Sequence, residues 1–88
     1  MIIEREVVNM IEQLKKYLEQ EYTEMKDLLD NPPDWCSTYK QKTHFIWNSA
    51  QRCLGATMFA QKCGVPCEDV DFYEKYREKI LALINECQ

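Results

Sequence analysis

The sequence predicts an all-α fold, and three observations predict it. Apolar residues recur at three- and four-residue spacing near both ends of the chain. No stretch alternates polar and apolar residues as a half-buried strand does. The three prolines, with Gly64, fall in two places, Pro32-Pro33 and Gly64 to Pro66, which cut the 88 residues into three helical segments. Connections this short favour antiparallel neighbours. The expected architecture is one domain, either an up-down-up three-helix bundle or a long helical hairpin carrying a third helix, and an oligomeric one.

The first helix is expected over residues 3 to about 30. Ile3, Val7, Ile11, Leu14, Leu18, Met25 and Leu28 lie on one stripe, which Met10, Tyr17, Tyr22 and Leu29 widen. Glu12 with Lys16 and Lys15 with Glu19 stand at the i,i+4 spacing that supports a helix. The helix stops before Pro32, because proline disfavours α geometry in the residue preceding it.

The second helix is expected over residues 37 to 63. Thr38-Tyr39-Lys40-Gln41 fits a capping box, with Asp34 as an alternative cap. Lys62, Gly64 and Pro66 mark the end. The third helix is expected from about 67 to 87, entered near Pro66–Asp69 with Glu68, Asp69 and Asp71 at the positive end of its dipole. Val70, Tyr73, Tyr76, Ile80, Ile84 and Cys87 make its inward stripe, and Asp71 with Lys75 can pair on the outer side.

Composition limits function more than it defines it. The chain is 45% hydrophobic and 30% charged, as in ordinary globular domains. A domain this small buries roughly 60–65% of its unfolded surface, so its core is thin. The net charge of −4 gives no basic stripe for nucleic acid, and direct nucleic-acid binding is not expected. No segment approaches the ~20 apolar residues that span a bilayer. The first ten residues, MIIEREVVNM, lack the pattern of a signal peptide. The expected location is therefore the cytoplasm, where the five cysteines would be reduced thiols.

The segment from Ile46 to Gly64 carries the strongest functional signal. Its eight-residue centre, Cys53 to Ala60, has no charge. A helix that is apolar all round must be covered on several sides. Ile46, Ala50, Cys53, Thr57 and Ala60 form one line of mostly small side chains, and Trp47, Leu54 and Met58 a bulkier second line. Both lines are assigned to contacts with the other two helices. Asn48, Gln51, Arg52, Gly55 and Phe59 form a third line, in which an interior glycine costs about 1 kcal/mol relative to alanine unless a close neighbour offsets it.

Three readings of this third line compete. Self-association would use Trp47, Gln51, Gly55, Met58 and Phe59 against a symmetric copy. A ligand pocket between subunits would use Arg52 and Lys40 for an anionic, nucleotide-like molecule, with Asn48 nearby and Trp35, Tyr39 or Trp47 as stacking surfaces. The plainest reading tucks Phe59 under a loop and leaves the polar residues solvated.

The remaining features are weaker. Cys63-x3-Cys67 has the spacing of half a zinc site, but Cys36, His44, Cys53 and Cys87 supply no second pair, so no metal or cofactor is expected. His44 is the sole histidine, without an orienting group for catalysis. Glu19, Glu21, Glu24, Asp27 and Asp30 read as a solvated face, or as an acidic surface that inhibits a nucleic-acid enzyme. Trp35 reads as a plug for the bundle end, or as an exposed interface anchor. The expectation is a non-enzymatic protein that self-associates and binds a macromolecular partner. By analogy with compact acidic helical proteins of phages and mobile elements, that partner would belong to a host system.

Overall fold

The computed structural model describes residues 4–87. Three helices, α1 (Glu4–Asp30), α2 (Tyr39–Lys62) and α3 (Phe72–Ala82), are joined and followed by short 3-10 turns at Asp34–Cys36, Cys67–Asp69 and Leu83–Cys87. There is no strand among the described residues. Glu21 of α1 lies beside Ser49 and Arg52 of α2, and Leu28, further along α1, shares a crevice with Phe45. These two helices are therefore antiparallel. Lys15 of α1 sits over Phe72, and Lys26 meets Glu86, so the third segment runs parallel to α1. Every pair of helices is in contact. The result is an up-down-up bundle, 47 × 17 × 15 Å in extent.

Local chemistry sets the helix ends. Thr38 Oγ1 accepts the Gln41 amide at 3.1 Å, and the Gln41 side chain accepts the Thr38 amide at 3.1 Å and the Ser37 amide at 3.0 Å. This is the reciprocal capping box the sequence indicates; Asp34 opens the preceding 3-10 turn instead. Thr38→Ala is expected to lower stability by about 1 kcal/mol, seen as a smaller urea midpoint at unchanged helix content; an unchanged midpoint would contradict a capping role. At the other end Gly64 takes φ 108°. The Val65 amide reaches back to Ala60 O at 3.1 Å and the Gly64 amide to Gln61 O at 3.0 Å. That paired pattern satisfies the last carbonyls of the helix and turns Val65 into the core.

Helix α3 begins at Phe72, later than the sequence indicates. Pro66 leads into a tight turn closed by the Val70 amide on Cys67 O, which drops Val70 into the core before the α-helix starts. The expected outer pairs Glu12–Lys16, Lys15–Glu19 and Asp71–Lys75 do not form: the ion pairs among the described residues are Lys26–Glu86 and Glu21–Arg52. Lys15 instead lies 5.2 Å from the Phe72 ring centroid, and Lys79 4.3 Å from that of Tyr22. These cations cover aromatic faces where α1 and α3 meet. Ile3 lies outside the described residues.

The core is centred where Leu18, Ile46 and Ile80, one from each helix, are wholly buried. Leu14, Met25, Val65, Val70 and Leu83 extend it along the long axis. Cys36, also wholly buried, fills the turn between α1 and α2. Trp35 beside it does not plug the bundle end; it is 59% exposed, with one ring edge set against Phe45 at 5.0 Å between centroids.

Candidate functional site

Helix α2 is packed with its small side inward. Apart from Ile46, its buried residues are Ser49, Ala50, Cys53, Thr57 and Ala60. Small side chains let neighbouring helix axes approach closely, and Thr57 Oγ1 loses no hydrogen bond by going inside, because it donates to Cys53 O at 2.8 Å. The large residues consequently point out. Phe59 is 68% exposed, and Trp47 and Met58 are 47% exposed each. This corrects the assignment of the Trp47–Leu54–Met58 line to contacts with the other helices: only Leu54 is half-buried, and the other two face away from the bundle.

The outer face of α2 thus carries Trp47, Asn48, Gln51, Gly55, Met58 and Phe59, all exposed. A Cβ added at Gly55 would meet no neighbouring atom within 4 Å. Gly55 is therefore a flat place on the helix, with Phe59 projecting one turn beyond it. The stretch from Trp47 to Phe59 is about 18 Å long.

Arg52 is the one charged residue inside that stretch, and it is already engaged. Its Nε and Nη2 donate to Glu21 Oε1 and Oε2 at 2.7 and 3.0 Å. Glu21 also accepts Ser49 Oγ at 2.9 Å and Tyr17 Oη at 3.0 Å. This corrects the reading of Glu21 as part of a solvated acidic face, since its side chain is 10% exposed while that of Arg52 is 50% exposed. Burial pushes the Glu21 carboxyl up. The hydrogen bonds from Arg52, Ser49 and Tyr17, with the Arg52 charge, more than reverse that and hold it below the ordinary carboxylate value. The same bond raises Arg52. Tyr17 is raised by burial and by its bond to Glu21. Cys53, behind the network, is pushed up to about 11 by burial first and the Glu21 charge second. It is a packing residue and a poor nucleophile.

The residues expected to hold an anionic ligand do not converge on one cavity. Arg52 faces Glu21 beside a small crevice that also involves Glu24, Met25, Leu28 and Phe45. Asn48 stands on the outer line, and Trp35 and Tyr39 are exposed near the start of the helix. Lys40 and Trp47 do share a groove, with Thr43, His44 and Phe45 between them. The acids Glu19, Glu24, Asp27 and Asp30 are exposed along α1.

The cysteines are all free thiols. Gln61 Nε2 donates to Cys67 Sγ at 3.1 Å, across the turn that separates Cys63 from Cys67. No group of three or more His, Cys, Asp or Glu side chains in metal-binding range occurs among the described residues. No described helix is long and apolar enough to cross a membrane.

Sequence reasoning missed Glu21, although a signal was present. Leu14, Leu18, Met25 and Leu28 follow a four-then-three spacing whose missing member is position 21. A carboxylate standing in a core register is a place to look for a cationic partner, and Arg52 is that partner. No family model matches this chain, and comparison with curated proteins and with solved structures gave no match.

Proposed function

We propose that this is a non-enzymatic helical protein that pairs with a second copy of itself through the outer face of α2 and acts by binding a macromolecular partner. The observation that carries the reading is the inverted packing of α2, small residues inside and Trp47, Met58 and Phe59 outside. The outward side chains of these three residues leave roughly 300–400 Å² uncovered, comparable with the largest apolar patches of monomers, which often mark interaction sites.

A second copy is the occupant that this face suits. Between Trp47 and Phe59 the only charge is Arg52, neutralised by Glu21. Two such faces meet without the repulsion that a chain of net charge −4 otherwise brings. The face is also self-complementary. It carries a projection, Phe59, and a flat site, Gly55, one turn apart. Around a two-fold axis, antiparallel α2 helices set each Phe59 over the partner's Gly55, and both contacts form together. Close backbone approach there offsets the cost of a glycine inside a helix. Asn48 and Gln51 border the contact and can bond across it. The polar network between α1 and α2 supports a non-catalytic role, because Tyr17, Ser49 and Arg52 all bond to Glu21 and leave its carboxylate engaged.

Gly55→Leu separates this reading from a solvated face. Nothing lies within 4 Å of a Cβ added there, the position is exposed, and leucine is the better helix former by up to about 1 kcal/mol. The isolated chain should therefore melt at the same temperature or higher. Sedimentation equilibrium at tens of micromolar should show the variant shifted from pairs toward single 10.5 kDa chains. Equal masses for native and variant protein would remove the proposed contact.

A further inference from the structure

The outer face of α2 continues sideways into a groove against α3. Leu54, Tyr73, Glu74, Arg77 and Glu78 line this open space of about 470 Å³. Leu54 and Tyr73 are half-buried and give it an apolar floor, while Glu74, Arg77 and Glu78 are exposed on its α3 side. Two carboxylates against one guanidinium leave that side acidic. None of the three forms an ion pair among the described residues. Neither does Lys62, exposed in the last turn of α2.

What lies over the groove follows from the pairing proposed above, on which this contact rests. With Phe59 over the partner's Gly55 in antiparallel helices, each step forward on one helix meets one step back on the other. Met58 then stands opposite the partner's Ala56, and Lys62 opposite the partner's Arg52. At about 3.6 residues per turn, Met58 and Lys62 are displaced from the Gly55–Phe59 line toward Leu54, the flank on which α3 packs. A two-fold axis sets like flanks side by side, so each copy brings both residues over the other's groove. Arg52 leans away, bonded to Glu21 of α1, and the two cations do not meet. Because α3 runs antiparallel to α2, the Glu78 end of the groove lies level with Arg52 and the Glu74 end nearer Gly55.

We propose that the α2–α3 groove receives the partner copy's Met58 on its Leu54–Tyr73 floor and the partner's Lys62 against Glu78, and that this ion pair sets the register of the two chains. A second copy is the occupant because the groove is continuous with the pairing face, and the cation its acidic side lacks arrives with that copy. Met58 is unbranched and 47% exposed, and a thioether adapts to a shallow apolar floor beside an aromatic ring. An apolar centre within a charged rim is the ordinary build of an interface. Complementary rim charges choose the partner and its register more than they add affinity.

Charge reversal in trans tests this. Lys62→Glu opposes two carboxylates, and Glu78→Lys two ammonium groups, at both symmetric contacts. Both positions are exposed, so each variant should keep the native helical spectrum. In sedimentation equilibrium at 50 mM salt, each variant alone should pair at least tenfold more weakly than the native chain. An equimolar mixture of the two should recover to within about threefold of native, because every reversed charge then meets its complement on the other chain. Native pairing that neither reversal weakens would overturn this register and leave the α2 pairing face standing. Weakening by both reversals without recovery in the mixture would overturn the Lys62–Glu78 contact. Native chains as single as Phe59→Lys chains would remove the pairing itself, and this contact with it.

Discussion

Phe59→Lys is expected to abolish self-association without harming the fold. Phe59 is 68% exposed in the single chain, so its replacement removes little from the core. In the pair, both copies lose a buried aromatic ring worth about 1.5–3 kcal/mol, and both place a charge where the ring had been. The combined loss of about 3–6 kcal/mol weakens pairing at least a hundredfold. Light scattering after size exclusion should give 10.5 kDa for the variant at concentrations where the native chain runs at twice that mass. A native chain that is already single at tens of micromolar would end the pairing account. So would a variant that still pairs.

Substitution of Glu21 should have the largest effect on stability. Glu21→Ala removes four hydrogen bonds, one each from Tyr17 and Ser49 and two from Arg52. Ser49, wholly buried, is left without a partner for its hydroxyl, a penalty of about 1–3 kcal/mol. Arg52 is half exposed and recovers part of its hydration, so the charge contributes less than a fully buried pair would. The sum, about 2–4 kcal/mol, corresponds to roughly 10–20 °C in melting temperature for a domain of this size. A loss below about 0.5 kcal/mol in urea unfolding would show that the network does not hold α1 to α2.

The same carboxylate predicts how stability depends on pH. Its folded pKa is lowered, so the unfolded chain binds the proton more readily. The stabilisation is complete above the unfolded value, about 4.3, and is lost as pH falls through the folded one. Unfolding followed from pH 6 down to pH 2.5 should show this loss in the native chain and a shallower slope in Glu21→Gln. Identical slopes would mean that Glu21 is not the group responsible.

Much of the fold could be read from residue order because its signals are local. The Thr38–Gln41 capping box and the Gly64 terminus depend on neighbours within a few positions, and both form as the spacing indicates. The start of α3 was misplaced because Val70 is drawn into a core that local spacing does not describe. The orientation of α2 was only half legible. A helix apolar on most sides does not announce which side faces in, and hydrophobic periodicity favours the large side chains. Close helix approach selects the small ones instead, so Ala50, Cys53 and Thr57 are buried while Trp47 and Met58 are not. Glu21 was hidden for a related reason. Among five acids in twelve residues it looks like any surface charge, and only its register with Leu18 and Met25 distinguishes it.

The central claim is that a second copy covers the outer face of α2, and isotope-filtered NMR on a mixture of labelled and unlabelled chains tests it most directly. Nuclear Overhauser contacts from the Phe59 ring of one copy to the Gly55 α-protons of another are the expected result. A spectrum without intermolecular contacts to Phe59, Met58 or Trp47 at submillimolar concentration would contradict it.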